Sequence, residues 1–182
     1  LGIIAGLTGY GLKNDDSRSL SAASQTVEAL LVTGIVVQVL KRTTGREAGF
    51  RATQDGGKWQ FFPNQIAYSK NVPKYDAFPS GHLATVMTTT TVLAENYPEH
   101  TYIRPLGYSM MGLLGFAMLN NGVHWAGDYP LGIAIGYTAA KVAVERNRKQ
   151  RWLKATRPES ASLLQFSAVL PFAKSDAVDT IL

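Results

Sequence analysis

Apolar residues fall into four blocks, separated by polar or Gly/Pro-rich text. In the first, Ser19 to Lys41, they recur at Val27, Leu30, Leu31, Ile35, Val36 and Val39. That is helical spacing, opened by a Ser/Asp-rich lead-in and closed by Lys41 and Arg42 before Gly45. Gly81 to Asn96 continues the pattern and stops at Pro98, which cannot extend a helix. Its run Thr88 to Thr91 is β-branched, so a strand is the alternative there. Pro105 to Leu119 reads as an apolar helix rich in Gly and Met, and Val123 to Val144 as another. The uncharged stretches fall short of the ~20 residues of a membrane span, which favours core helices, with short spans in a larger membrane bundle as the alternative.

Between the first two blocks, Glu47 to Phe78 is a long loop carrying Trp59, Phe61, Phe62, Tyr68, Tyr75 and Phe78. A loop of that length in a compact domain is commonly a lid or binding loop, and its aromatics argue against disorder. They form candidate apolar walls for a substrate, or part of the core. Lys141 to Arg157 is strongly basic with one Trp, a solvated helix end or a surface for acidic lipid or nucleic acid. Beyond Pro158, "LLQFSAVLPF" is apolar enough to pack back on the body. At 182 residues and 46% hydrophobic composition the chain has material for one core. A single domain over 1–182 is expected, with chemistry within about 20–145 and a basic extension over 146–182.

The net charge of +5 fits an anionic substrate or membrane surface, and equally an ordinary solvated surface; nucleic acid is supported by charge alone. The absence of cysteine excludes disulfides, thiolate metal sites and cysteine nucleophiles. Starting at Leu1 rather than Met, the chain reads as a mature or trimmed form.

Two strings carry candidate chemistry. In "FPSGHLAT", Pro79 keeps Phe78 out of the helical region and Ser80 is a favoured helix cap, so His82 stands just inside a helix N-terminus. The unpaired N–H groups and the dipole there suit an anion. In "GVHWAGDYP", His124 and Asp128 have the spacing of one helix face. A carboxylate beside an imidazole fixes its tautomer and leaves the other nitrogen free to attack or exchange a proton. Taken alone the pair is equally a satisfied core histidine. "PSGH" is more specific, arising by chance in about one such chain in a thousand.

The order of Lys41 and Arg46 in "LKRTTGRE", then "PSGH", then His124 and Asp128, resembles the three-motif signature of the type 2 phosphatidic acid phosphatase superfamily. That superfamily also contains bacterial acid phosphatases and vanadium haloperoxidases. The resemblance implies an all-α, single-domain helical bundle that holds phosphate without metal. It implies His124 as the nucleophile forming a phosphohistidine, Asp128 as its orienting partner and His82 as the acid for the leaving oxygen. Lys41, Ser80 and the Gly81 N–H would bind the non-bridging oxygens. Two family arginines are missing: Ala48 and Gly49 stand where the first motif has Arg-Pro, and Ala117 and Met118 where the third has Ser-Arg. Arg46 is the first candidate replacement, followed by Arg51, Lys70, Lys74 and Arg104.

The implied activity is metal-independent hydrolysis of a phosphomonoester or pyrophosphate, lipid-linked substrates included. The alternatives are a catalytically weak binder of phosphate or lipid phosphate and a vanadium-dependent haloperoxidase. No cofactor is expected, with vanadate serving as a phosphate mimic. The expected partners are a phosphorylated small molecule or lipid phosphate and a membrane surface, with no nucleic acid. The resemblance places the protein in the bacterial periplasm or cell envelope.

Overall fold

The computed structural model describes residues 1–156. The chain divides into two compact units, Leu1–Glu145 and Arg146–Leu182, and both histidine strings belong to the first. The segment "LLQFSAVLPF" lies outside the described residues. Among those described there are six α-helices and no strand: α1 Gly2–Asn14, α2 Ser17–Thr44, α3 Gln65–Lys70, α4 Gly81–Asn96, α5 Ile103–Asn120 and α6 Tyr129–Ala155. The architecture is all-α, as expected.

Local chemistry fixes most boundaries. Asp16 caps α2 by accepting from the Arg18 and Ser19 N–H groups, and Gly45 ends it in the left-handed conformation. A Cβ on Gly45 would lie 2.3 Å from the Gln60 carbonyl oxygen, so the loop can fold back there only onto glycine. The threonine run of α4 is helical, and within it the Thr88 and Thr89 hydroxyls are satisfied by the carbonyls of Ala84 and Thr85 one turn back. α1 has no counterpart among the predicted elements, its four glycines masking any helical period. α6 begins at Tyr129 rather than Val123, since residues 122–128 form a turn and a 3-10 segment. The long loop is in fact structured, containing α3 and two short 3-10 turns.

α1 and α4 pack on α2, and α5 packs on α4. α6 presses directly on the α4 backbone. A Cβ on Gly132 would meet the Ser80 carbonyl oxygen at 2.4 Å, and one on Gly136 the Ala84 carbonyl oxygen at 2.2 Å. This small-xxx-small pair therefore sets the height of α6 against the first turn of α4. Ala29, Val92, Ala140, Ala143 and Val144 form the adjoining core.

The core contains small and polar side chains where large apolar ones were expected. α2 buries Ala22, Ala23, Gln25, Thr26, Ala29 and Thr33, while Val27, Leu31, Val32, Ile35, Val36 and Val39 face outward. α5 likewise exposes Leu106, Met110, Leu113 and Phe116 at helical spacing. The periodicity located the apolar face of α2 correctly but not the side it faces. α2 also contains an 18-residue window of mean hydropathy 1.5 and is long and apolar enough to cross a membrane, alone among the described helices. The single charge of Glu28, which broke the uncharged run, does not remove that property.

Candidate active site

Three segments meet at one end of the bundle: the C-terminus of α2, the N-terminus of α4 and the turn before α6. Their junction is made by backbone bonds. The Ser80 N–H donates to the Asp128 carbonyl (2.9 Å), and the Ala77 N–H donates to the Arg46 carbonyl (3.0 Å). The strings that were far apart in sequence are thereby fixed to one another.

His82 is the second residue of α4, within its first turn, and is exposed; His124 is buried, at 4% exposure. Their rings lie 5.7 Å apart, centroid to centroid, and nearly perpendicular. The acceptor nearest His124 Nδ1 is the Ala77 carbonyl, at 2.7 Å. A carbonyl can only accept, so Nδ1 carries the proton and Nε2 keeps its lone pair. Asp128 is 3.5 Å from the same nitrogen and thus secondary to Ala77. Nor do the two share a helix face. The turn closes because Asp128 Oδ2 accepts from the Trp125 N–H (2.7 Å) and the Asp128 N–H donates to the Trp125 carbonyl.

Ser80 occupies the cap position of α4, yet its side chain makes no capping bond. Its Oγ is buried with no hydrogen-bond partner among the described residues. A buried orphan hydroxyl at a helix N-terminus is a ready donor for an anion. Lys41 is buried, its stem passing close to Gly81, and its Nζ bonds the Asp76 carbonyl and Asp76 Oδ2, the latter at 2.9 Å. His82 keeps an exposed edge, but the partial desolvation of its ring against the site pushes the imidazole below its ordinary value of 6.5; His124 and Lys41 push the same way, and Asp76 opposes them.

Arg46 has other partners than an anion. Its Nη1 bonds Asp128 Oδ1 at 2.5 Å, and its Nε and Nη2 bond the Gly56 carbonyl. The guanidinium lies between Trp59 and Trp125, 4.8 and 5.4 Å from their centroids. The other candidate replacements stand on the loop between α2 and α4 and on α5. Arg51 lies over Phe50 and Lys74 over Tyr75, while Lys70 ends α3. Arg104 pairs with Glu95, about 20 Å along α4 from His82. Ala48 and Met118, at the arginine positions, are buried.

Two further residues of the site went unread in the sequence. Glu47 is fully buried; burial pushes its carboxyl up, but bonds from the Thr53 N–H, the Thr53 hydroxyl and the Lys58 N–H hold it lower overall. It ties down the start of the loop, whose Glu47 carbonyl also accepts from Trp125 Nε1 (2.9 Å). The other is Asp76. The aromatics divide: Tyr68 and Tyr75 are core, Trp59 stacks on Phe61 and meets Phe78 at a tilt, and Phe61 and Phe62 are exposed, Phe62 at 79%. No cluster of three or more His, Asp or Glu side chains suited to a metal ion occurs among the described residues.

The all-α bundle thus brings two imidazoles, a buried lysine and an orphan hydroxyl together at one helix N-terminus, where backbone N–H groups and the helix dipole suit an anion. The chain belongs to the PAP2 superfamily, whose family model matches residues 22–152. No curated protein and no solved structure matches it. The family consists in general of phosphatases acting on phosphorylated substrates, which places the chain, at that coarse level, among the phosphoric ester hydrolases.

Proposed function

We propose that the protein hydrolyses a phosphomonoester or pyrophosphate through a phosphohistidine on His124. The observation that carries this reading is the convergence of His82 and His124, 5.7 Å apart, over the first turn of α4. His124 Nε2, left as the lone-pair nitrogen of the tautomer that the Nδ1–H bond to Ala77 selects, attacks phosphorus in line with the leaving oxygen. The P–O bond breaks and His82 delivers its proton to that oxygen. Water then attacks the phosphohistidine, returning a proton to His82 and releasing phosphate. Lys41, Ser80 Oγ and the Gly81 N–H stabilise the charge on the non-bridging oxygens.

The pH dependence tests the assignment of the acid. Because His82 titrates below 6.5, its protonated form is lost as the pH rises through that depressed value. Hydrolysis of an alkyl phosphate, with a poor leaving group, should therefore be fastest in acid and fall towards neutrality. An aryl phosphate with an acidic phenol should show a much shallower fall, since its leaving oxygen needs less protonation. Identical alkaline limbs for both substrates would remove His82 from that role. A weak binder of phosphate is the second reading, favoured by the loss of arginine at Ala48 and Met118; calorimetric phosphate binding without turnover would select it.

Membrane contact is part of the proposal, and with it lipid-linked substrates and a place in the cell envelope. The outward apolar faces of α2 and α5, set against a core of small and polar residues, are arranged as for hydrocarbon rather than water. The protein should float with phospholipid vesicles in high salt, and Leu113→Asp with Phe116→Asp should weaken that association at least severalfold. Wild-type protein that stays in the aqueous fraction would contradict it.

A further inference from the structure

The geometry points to Asp76 as a positioning residue that holds Lys41 as a shared, exchangeable cation and sets the charge balance around His82. This inference rests on the anion site proposed above but not on its turnover. Asp76 stands where three parts of the site join. Its Oδ2 takes the Lys41 ammonium at 2.9 Å, and its Oδ1 accepts from the Tyr68 hydroxyl at 2.5 Å. Tyr68 is itself fixed: its ring is buried, stacks on Tyr75 and carries the Arg42 guanidinium 4.7 Å from its centroid. Burial and the Asp76 bond push the Tyr68 phenol well up, so it remains a donor at any ordinary pH.

The backbone of Asp76 is equally engaged. It bridges to Arg46, and the next residue, Ala77, accepts the Nδ1 proton of His124. A carboxylate at this junction has two consequences. First, Lys41 is not a free cation waiting for phosphate. An incoming oxyanion must share the ammonium with Asp76, which limits how tightly product is held. Second, the groups acting on the His82 imidazole are Lys41 from α2, His124 from the turn before α6 and Asp76 from the loop before α4. Asp76 is the anion of the three, and through its ion pair with Lys41 it offsets that lysine's charge beside His82. The Lys41 bond to the Asp76 backbone carbonyl does not depend on the side chain, so neutralising the carboxylate leaves the lysine tethered.

The test is Asp76→Asn, with Asp76→Glu as the conservative rescue, read by two measurements that need no turnover. In the Asn variant the His82 imidazole, followed by NMR titration, should move its midpoint down by about half a pH unit or more. Orthovanadate and inorganic phosphate should bind about three- to tenfold tighter by calorimetry. Glu should restore both values towards wild type. An unchanged His82 midpoint together with unchanged or weaker anion binding would overturn the proposal. Should Asn perturb the loop, Asp76→Ser removes the same charge with less bulk and must give the same two shifts. A protein that binds vanadate with these shifts but releases no phosphate would sink the hydrolase reading and leave the role of Asp76 intact.

Discussion

Replacing His124 with Ala is expected to lower phosphate release from a soluble phosphoester by about a thousandfold or more, in the presence of chelator as in its absence. No other described side chain offers a nitrogen lone pair in the same position: His82 is the proposed acid, and His100 sits beside Glu99, away from the two imidazoles. The loss should fall on kcat, because Lys41, Ser80 and the helix N-terminus that bind the anion are untouched. His124→Asn, which fills similar space without a nucleophilic nitrogen, should be equally inactive. Acid quenching of wild-type turnover should trap an acid-labile phosphoryl group that neither variant forms. Undiminished turnover in His124→Ala would remove the proposed nucleophile.

The second large effect is on stability and comes from Arg46→Met. Asp128 is completely buried and its charge is met by Arg46, itself only 12% exposed in its side chain. Removing the guanidinium leaves a buried carboxylate facing one N–H and a more distant imidazole, which typically costs about 3–5 kcal/mol. A large fall in unfolding midpoint is therefore expected. The double variant Arg46→Met with Asp128→Leu should recover much of it, since exchanging both partners for apolar groups removes the unpaired charge. Were Arg46 instead a substrate ligand, Arg46→Met would raise KM and leave stability nearly unchanged. Denaturant titration of both variants separates these outcomes.

Legibility followed the kind of group involved. Ser80, Gly81 and His82 could be picked out because they sit in one short, improbable string, and Lys41 and His124 from their order on either side of it; the structure brings all five together at one end of the bundle. The acceptor that fixes the His124 tautomer is the backbone carbonyl of Ala77, and a carbonyl leaves no letter in a sequence. Asp76 was overlooked because one carboxylate in a long loop has no pattern, and its importance arises only when Lys41 and Tyr68 arrive from elsewhere. Arg46 was singled out from its position in the first motif, but its partners depend on Gly56 and Asp128, which the fold alone brings near.

The helices show the same division. Spacing located α2, α4 and α5 because their apolar positions recur every three to four residues. It failed for α1, where glycines break the period, and for the start of α6, where a tight turn imitates the i, i+4 spacing of a helix. Periodicity also names a face without saying what it touches. The outward valines and leucines of α2 became intelligible only when the opposite face proved to be filled by Ala, Thr and Gln. Gly132 and Gly136, a pair of small residues one turn apart, likewise gained meaning only when α6 was seen pressed on the α4 backbone.

The most direct measurement is a crystal structure of the protein with orthovanadate. The account predicts vanadium bonded to His124 Nε2, its apical oxygen facing His82, and its equatorial oxygens on Ser80 Oγ, the Gly81 N–H and Lys41. Vanadate bound elsewhere, or bound here without a bond to His124, would contradict it.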